Sequence, residues 1–271
     1  MAAYEFGPPD RPIDVVLSHA NSFNALTYRT VLAPAAEQLR ILAYDLRGHG
    51  ATRLPTEVEG RNDWSDAGAD LAALIEALDL TNVVLAGHSM GATTTLLAVP
   101  AIAGRVRSLA LFDPVIPPLD GPAKARSEAG NARASEAALR RRNSFPSPAV
   151  ALESFVGRGA FATWPRAMVA DYVEGGLRAL DDGTCELACA PEWEASGYRA
   201  QAHDMWSLLR EAQKPTIILR GGEWSSAALD AERLSQPAYG HITVETVPGT
   251  GHFLPMERPD AVRDALAALA A

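Results

Sequence analysis

The sequence predicts an α/β fold: a mostly parallel, doubly wound sheet, shortened at its N-terminal edge, that carries a mainly helical insertion. Three observations predict it. Strand and helix patterns alternate from Ile13 to Phe112. The alternation stops between about Val115 and Arg210, where helical stretches rich in Ala, Arg, Glu and aromatics take over. It then resumes for two more strands and a closing helix. Strands that alternate with helices imply a parallel sheet covered on both faces.

Taken in order, Ile13–Ser18 is a short apolar run that predicts a buried strand. About a dozen residues precede it, too few for two further strands at a mean of ~5–6 residues each, so that edge of the sheet is short. Leu26–Leu39 has helical character that Pro34 interrupts. Arg40–Tyr44 is a second strand, and Asp66–Leu78 places Leu71, Leu74, Ile75 and Leu78 on one helical face. Asn82–Ala86 predicts a strand and Ala92–Val99 a helix, with Gly87-His88-Ser89-Met90-Gly91 between them. Val106–Phe112 is the next strand. Within the insertion, Glu128–Arg142 and Pro165–Leu180 are helical and no strand pair is evident. Pro215–Arg220 and Ile242–Val247 return to strand, and Asp260–Ala270 closes the chain as a helix. The expected organisation is a core of 1–114 and 211–271 with a helical insertion of 115–210.

Composition narrows the function classes. The 271 residues are 48% hydrophobic and 21% charged, as in ordinary globular proteins, and the net charge of −9 argues against nucleic acid or an anionic membrane as the main partner. No apolar run reaches membrane-spanning length, and the first residues lack the pattern of a secretion signal. Cys185 and Cys189 are read as free thiols, which fits a cytoplasmic location. The six histidines form no metal-binding spacing, so no metal and no cofactor is expected.

The chemistry is carried by Gly87-His88-Ser89-Met90-Gly91, a G-x-S-x-G nucleophile elbow. Strand before and helix after are the context that motif requires. A serine on this turn projects its hydroxyl above the sheet, and the helix N-terminus behind it offers N–H groups to a developing negative charge. A serine nucleophile also needs a base with a pKa near neutrality.

Together with Asp45-Leu46-Arg47-Gly48-His49-Gly50 and Gly249-Thr250-Gly251-His252-Phe253-Leu254-Pro255, the elbow resembles the α/β-hydrolase family, and the resemblance extends over nearly the whole chain. It implies Ser89 as nucleophile and His252 as base. His88 is assigned to packing beside the site, and His19 and His49 to loop scaffolding. The third member departs from the family pattern. Its usual acid follows the strand at Ile217–Arg220, but Gly222-Glu223-Trp224-Ser225 puts a serine there. Serine cannot stabilise an imidazolium. Asp113, at the end of Val106–Phe112, is the preferred substitute; Glu223 is the alternative, with Asp230 and Asp204 behind it. The oxyanion hole is assigned to the N–H groups of Met90 and Asn21.

The resemblance makes the insertion a cap over the serine. Its aromatics, above all Phe145, Trp164 and Trp206, are the expected substrate wall, which favours an apolar or aromatic substrate. Arg140-Arg141-Arg142 reads as a solvated helix end, with carboxylate or phosphate recognition as its alternative. The expected function is hydrolysis of a small-molecule carboxylic ester or lactone through an acyl-serine. Amides, thioesters and carbon–carbon bonds are open to the same apparatus. Ser225 in place of the acid keeps a second class in view, a ligand-binding protein on this fold with little or no turnover. Oligomeric state is not readable from the sequence.

Overall fold

The computed structural model describes residues 1–271. Five strands lie in the first part of the chain: β1 (Ala3–Phe6), β2 (Val15–Ser18), β3 (Ile41–Tyr44), β4 (Val83–His88) and β5 (Val106–Phe112). Three short ones follow in the insertion: β6 (Ser144–Phe145), β7 (Leu177–Ala179) and β8 (Cys185–Leu187). β9 (Thr216–Gly221) and β10 (Ile242–Val247) complete the set. The main sheet has seven strands in the order β1-β3-β2-β4-β5-β9-β10, all parallel except β1, which runs antiparallel to β3. One strand, β1, lies at that edge beyond β3.

Adjacent residues of the central strands alternate between two apolar clusters. Val15, Leu17, Val84, Ala86, Ala110 and Phe112 face one, and Val16, Leu85, Leu109 and Leu111 face the other. All are buried. A period of two with both faces apolar is the pattern of a sheet covered by helices on each side. Helices Ser65–Ala77 and Met90–Ile102 pack over one face, and Pro259–Ala270 over the other. Pro34 does interrupt its helix: a 3₁₀ turn and the short helix Arg29–Leu32 precede it, and only a 3₁₀ turn follows.

The insertion between β5 and β9 contains helices Gly121–Arg140, Pro148–Phe155, Arg166–Gly176, Pro191–Arg199 and Met205–Ala212. It differs from expectation in one respect. β6, β8 and β7 form an antiparallel three-stranded sheet. These strands are two or three residues long, too short to show the alternation by which a strand is recognised in sequence. No helix of the chain is long and apolar enough to cross a membrane.

Candidate active site

Ser89 stands between β4 and helix Met90–Ile102 with φ 56° and ψ −120°. A non-glycine residue in this region carries strain of about 1–3 kcal/mol, which the surrounding structure must hold. The flanking glycines show how it is held. A Cβ on Gly87 would lie 2.4 Å from the Gly91 backbone, and one on Gly91 would lie 2.1 Å from the Ser18 carbonyl oxygen. Only glycine lets β2, the turn and the helix approach this closely.

The turn brings Ser89 to His252, which lies in the loop after β10. Ser89 Oγ is 2.8 Å from His252 Nε2, and His252 Nδ1 is 2.6 Å from Asp113 Oδ2. With Nδ1–H donating to the carboxylate, Nε2 is left to accept the serine proton. Asp113 directly follows β5 and is fully buried. Burial alone would raise its pKa. Hydrogen bonds from His252, Ser225 and the Gly221 N–H outweigh that and hold the carboxyl at about 2.

The other acids lie elsewhere. Glu223 is exposed, and only its backbone N–H is engaged, on the Thr250 carbonyl. Asp230 and Asp204 cap the helices Ala231–Leu234 and Met205–Ala212. Ser225, at the family's usual acid position, donates to Asp113 Oδ1 at 2.5 Å. Ser226 adds its N–H at 2.8 Å and its hydroxyl at 3.0 Å to Oδ2.

Asn21 and Met90 line the same cavity as Ser89. The neighbours of Asn21 are both engaged: Ala20 N–H donates to Tyr28 Oη at 3.2 Å, and Ser22 N–H to His49 Nε2 at 3.1 Å. The Asn21 N–H between them has no backbone partner, and Met90 is the first residue of its helix, where N–H groups lack intrahelical acceptors. The Asn21 side chain anchors the insertion by donating to the Glu194 carbonyl at 3.0 Å.

His88, His19 and His49 serve as fixed connectors. Tyr28 Oη lies 2.7 Å from His88 Nδ1, and His88 Nε2 lies 2.7 Å from the His252 carbonyl. That carbonyl can only accept, so His88 carries its proton on Nε2 and Tyr28 donates to Nδ1. A continuous chain thus joins the Asn21 loop to the backbone of His252. Burial pushes the His88 pKa down to about 3 and that of His19 to about 4, so both rings stay neutral. His19 Nε2 accepts the Leu46 N–H, and His49 Nδ1 donates to the Arg47 carbonyl.

A cavity of about 560 Å³ opens above Ser89, a volume suited to a small molecule. Phe23, Trp224, Phe253, Met90 and Val115 form apolar walls, and Arg141, Glu194, Asn131 and Gln201 polar ones. The expected wall of Phe145, Trp164 and Trp206 is corrected: none of the three lines this cavity. Phe145 packs on Phe155, and Trp164 on Phe161 and Phe23, which buries their rings against other aromatics. Trp206 packs edge-on to Tyr239 and borders a separate, more open groove of about 890 Å³. Phe161, Tyr172 and Tyr198 are the insertion aromatics that do reach the cavity. Phe23, Phe253 and Trp224 were missed, although each stands within two residues of Asn21, His252 or Ser225. No group of three or more His, Cys, Asp or Glu side chains is placed to hold a metal ion.

Comparison with known proteins bears on the family and the fold. The family model described as "Alpha/beta hydrolase family" matches residues 15–265. The 2-(acetamidomethylene)succinate hydrolase of Mesorhizobium japonicum is 26% identical over 253 residues, which is 92% of this chain and 84% of that protein. The 3-oxoadipate enol-lactonase 2 of Acinetobacter baylyi is 30% identical over 89 residues, 33% of this chain and 32% of that protein. A crystal structure of E-2-(acetamidomethylene)succinate hydrolase has the same fold, with a TM-score of 0.80 at 22% identity over 98% of this chain and 93% of that one. The chain therefore belongs to the alpha/beta hydrolase family.

Proposed function

We propose that the protein is a serine hydrolase that cleaves a carboxylic ester or lactone, with Ser89, His252 and Asp113 as its triad. The observation that carries this reading is the unbroken hydrogen-bond chain from Ser89 Oγ through His252 to buried Asp113, at the floor of a cavity. Ser89 Oγ bonds to the substrate carbonyl carbon while His252 Nε2 takes its proton. The ionised Asp113 stabilises the imidazolium, and the N–H groups of Met90 and Asn21 receive the oxyanion. As the tetrahedral carbon collapses, the carbon–oxygen bond to the leaving group breaks and His252 returns the proton to it. Water, deprotonated by His252, then attacks the acyl-serine, releasing the acid and restoring Ser89. In a lactone the leaving alcohol stays tethered to the product.

Residues 115–210 act in this reading as a cap over the serine, and neither metal nor cofactor takes part. A cytoplasmic location accords with two buried, free cysteines. The names of the hydrolase and enol-lactonase relatives support hydrolysis. Ser225 is the feature that favours ligand binding without turnover, and its weight falls because Asp113 stands beside it with a carboxylate. The test is steady-state turnover of a panel of short aryl esters and five- and six-membered lactones. Hydrolysis that Ser89→Ala abolishes is expected; stoichiometric binding of the panel without product would contradict the reading.

A further inference from the structure

The three successive arginines at the end of helix Gly121–Arg140 have three different fates. Arg140 is exposed and pairs with Glu136 at 3.5 Å on its own helix. Arg142 lies over the Phe145 ring and donates to the Ser144 carbonyl. Arg141 is the first residue past the helix, where the backbone turns extended at φ −68° and ψ 146°, and it points inward. Among the residues lining the Ser89 cavity it is the single Lys or Arg.

Its guanidinium is held in place by two groups. One Nη donates to Glu194 Oε2 at 2.5 Å and the other to Tyr172 Oη at 3.1 Å. Both partners line the cavity, and the Glu194 side chain is only 7% exposed. Of five guanidinium N–H donors these two contacts use two, which leaves three without a protein acceptor. The Tyr198 hydroxyl, also on the cavity wall, makes no hydrogen bond within the protein. A buried ion pair is seldom the most stable way to fill such a space, since two apolar side chains avoid the desolvation cost. A guanidinium on the cavity wall, fixed by a carboxylate and a phenol and with donors to spare, is instead suited to bind an acceptor group of a ligand.

We propose that Arg141 forms a carboxylate subsite in the Ser89 cavity, so that the preferred ester or lactone carries a free carboxylate remote from the bond that is cut. Glu194 and Tyr172 are positioning residues that orient the guanidinium. This inference rests on the hydrolase reading for the word substrate, but binding tests it independently of turnover.

The experiment is titration calorimetry at pH 7.5 on the Ser89→Ala protein. The probes are the monomethyl esters of succinate, glutarate and adipate, each against the analogue in which the free carboxylate is a primary amide. A charge-assisted contact of this kind corresponds to about tenfold to a hundredfold in affinity. At least one chain length should bind that much more tightly as the carboxylate, and Arg141→Met in the same background should reduce the preference to near one. Should the lone methionine destabilise the fold by leaving Glu194 unpaired, Arg141→Met with Glu194→Gln removes both charges and should give the same loss. Equal binding of carboxylate and amide at all three lengths overturns the subsite, as does a preference that survives both variants. Failure of the hydrolase reading shows separately, as an absence of ester turnover by the wild-type protein.

Discussion

Replacing Asp113 by Asn tests the charge relationship on which the proposed site depends, and its effect can be worked out from the contacts. The Asp113 carboxylate accepts four hydrogen bonds besides that of His252. Gly221 N–H at 2.9 Å and the Ser225 hydroxyl at 2.5 Å reach Oδ1, and the Ser226 N–H and hydroxyl reach Oδ2. An amide has one acceptor oxygen, so its NH₂ must face a backbone N–H in either orientation. With the NH₂ toward Gly221, a buried donor is left unpaired and the imidazolium loses its counter-charge. With the NH₂ toward Ser226 and His252, the histidine must carry its proton on Nε2, and it can no longer accept the serine proton. The first arrangement weakens the base and the second removes it, a loss of about 10³–10⁴-fold in kcat, or about 4–5.5 kcal/mol. Glu223→Gln, at an exposed side chain with no contact to His252, should change kcat less than about twofold. The assay is ester hydrolysis by both variants, with near-ultraviolet circular dichroism to establish the fold. An Asp113→Asn enzyme within tenfold of wild type, or a larger loss in Glu223→Gln, would refute the assignment.

Other expected outcomes follow from the same contacts. Because the Ser225 hydroxyl touches Asp113, the double variant Asp113→Asn/Ser225→Asp places a carboxylate at the family's usual position, and at least tenfold of the lost kcat should return; no recovery would mean that a carboxylate at position 225 does not reach His252. Tyr28→Phe strands the Ala20 N–H and His88 Nδ1, and should cost about 2 kcal/mol in urea denaturation and slow labelling of Ser89; unchanged stability would contradict the chain through His88. The folded pKa values of His19 and His88 lie below the unfolded value near 6.5, so their contribution to stability is complete above that pH and is lost as pH falls toward 4 and 3. Each should remove about 1.4 kcal/mol per pH unit below about 6, measured by urea denaturation between pH 7.5 and 5; a flat profile there would contradict neutral buried imidazoles.

What the sequence made legible follows from how locally each feature is encoded. The elbow is a five-residue pattern whose glycines stand where a Cβ would collide with neighbouring backbone, so strand, serine and helix can be read together. Asp113 was legible as a carboxylate at a strand end, although its proof of place is the distance to His252, set by two loops 139 residues apart. The cavity wall was not legible. Phe145 and Trp164 have the size and apolar character of ligand contacts, but those properties are satisfied equally by packing against Phe155 and Phe161. Which of three adjacent arginines turns inward depends on the one residue at which the helix gives way to extended backbone. The strands β6 to β8 pair across up to about 40 residues with too few side chains each to signal a period.

The most direct measurement is intact-mass analysis of the protein after reaction with a fluorophosphonate, run on wild type and Ser89→Ala. This reagent needs an activated serine and donors for its phosphoryl oxygen, the same features assigned to Ser89, His252 and the N–H groups of Asn21 and Met90. One adduct per chain on wild type and none on Ser89→Ala is the predicted result. Folded wild-type protein that takes no adduct, or an adduct that persists in Ser89→Ala, would contradict an activated Ser89.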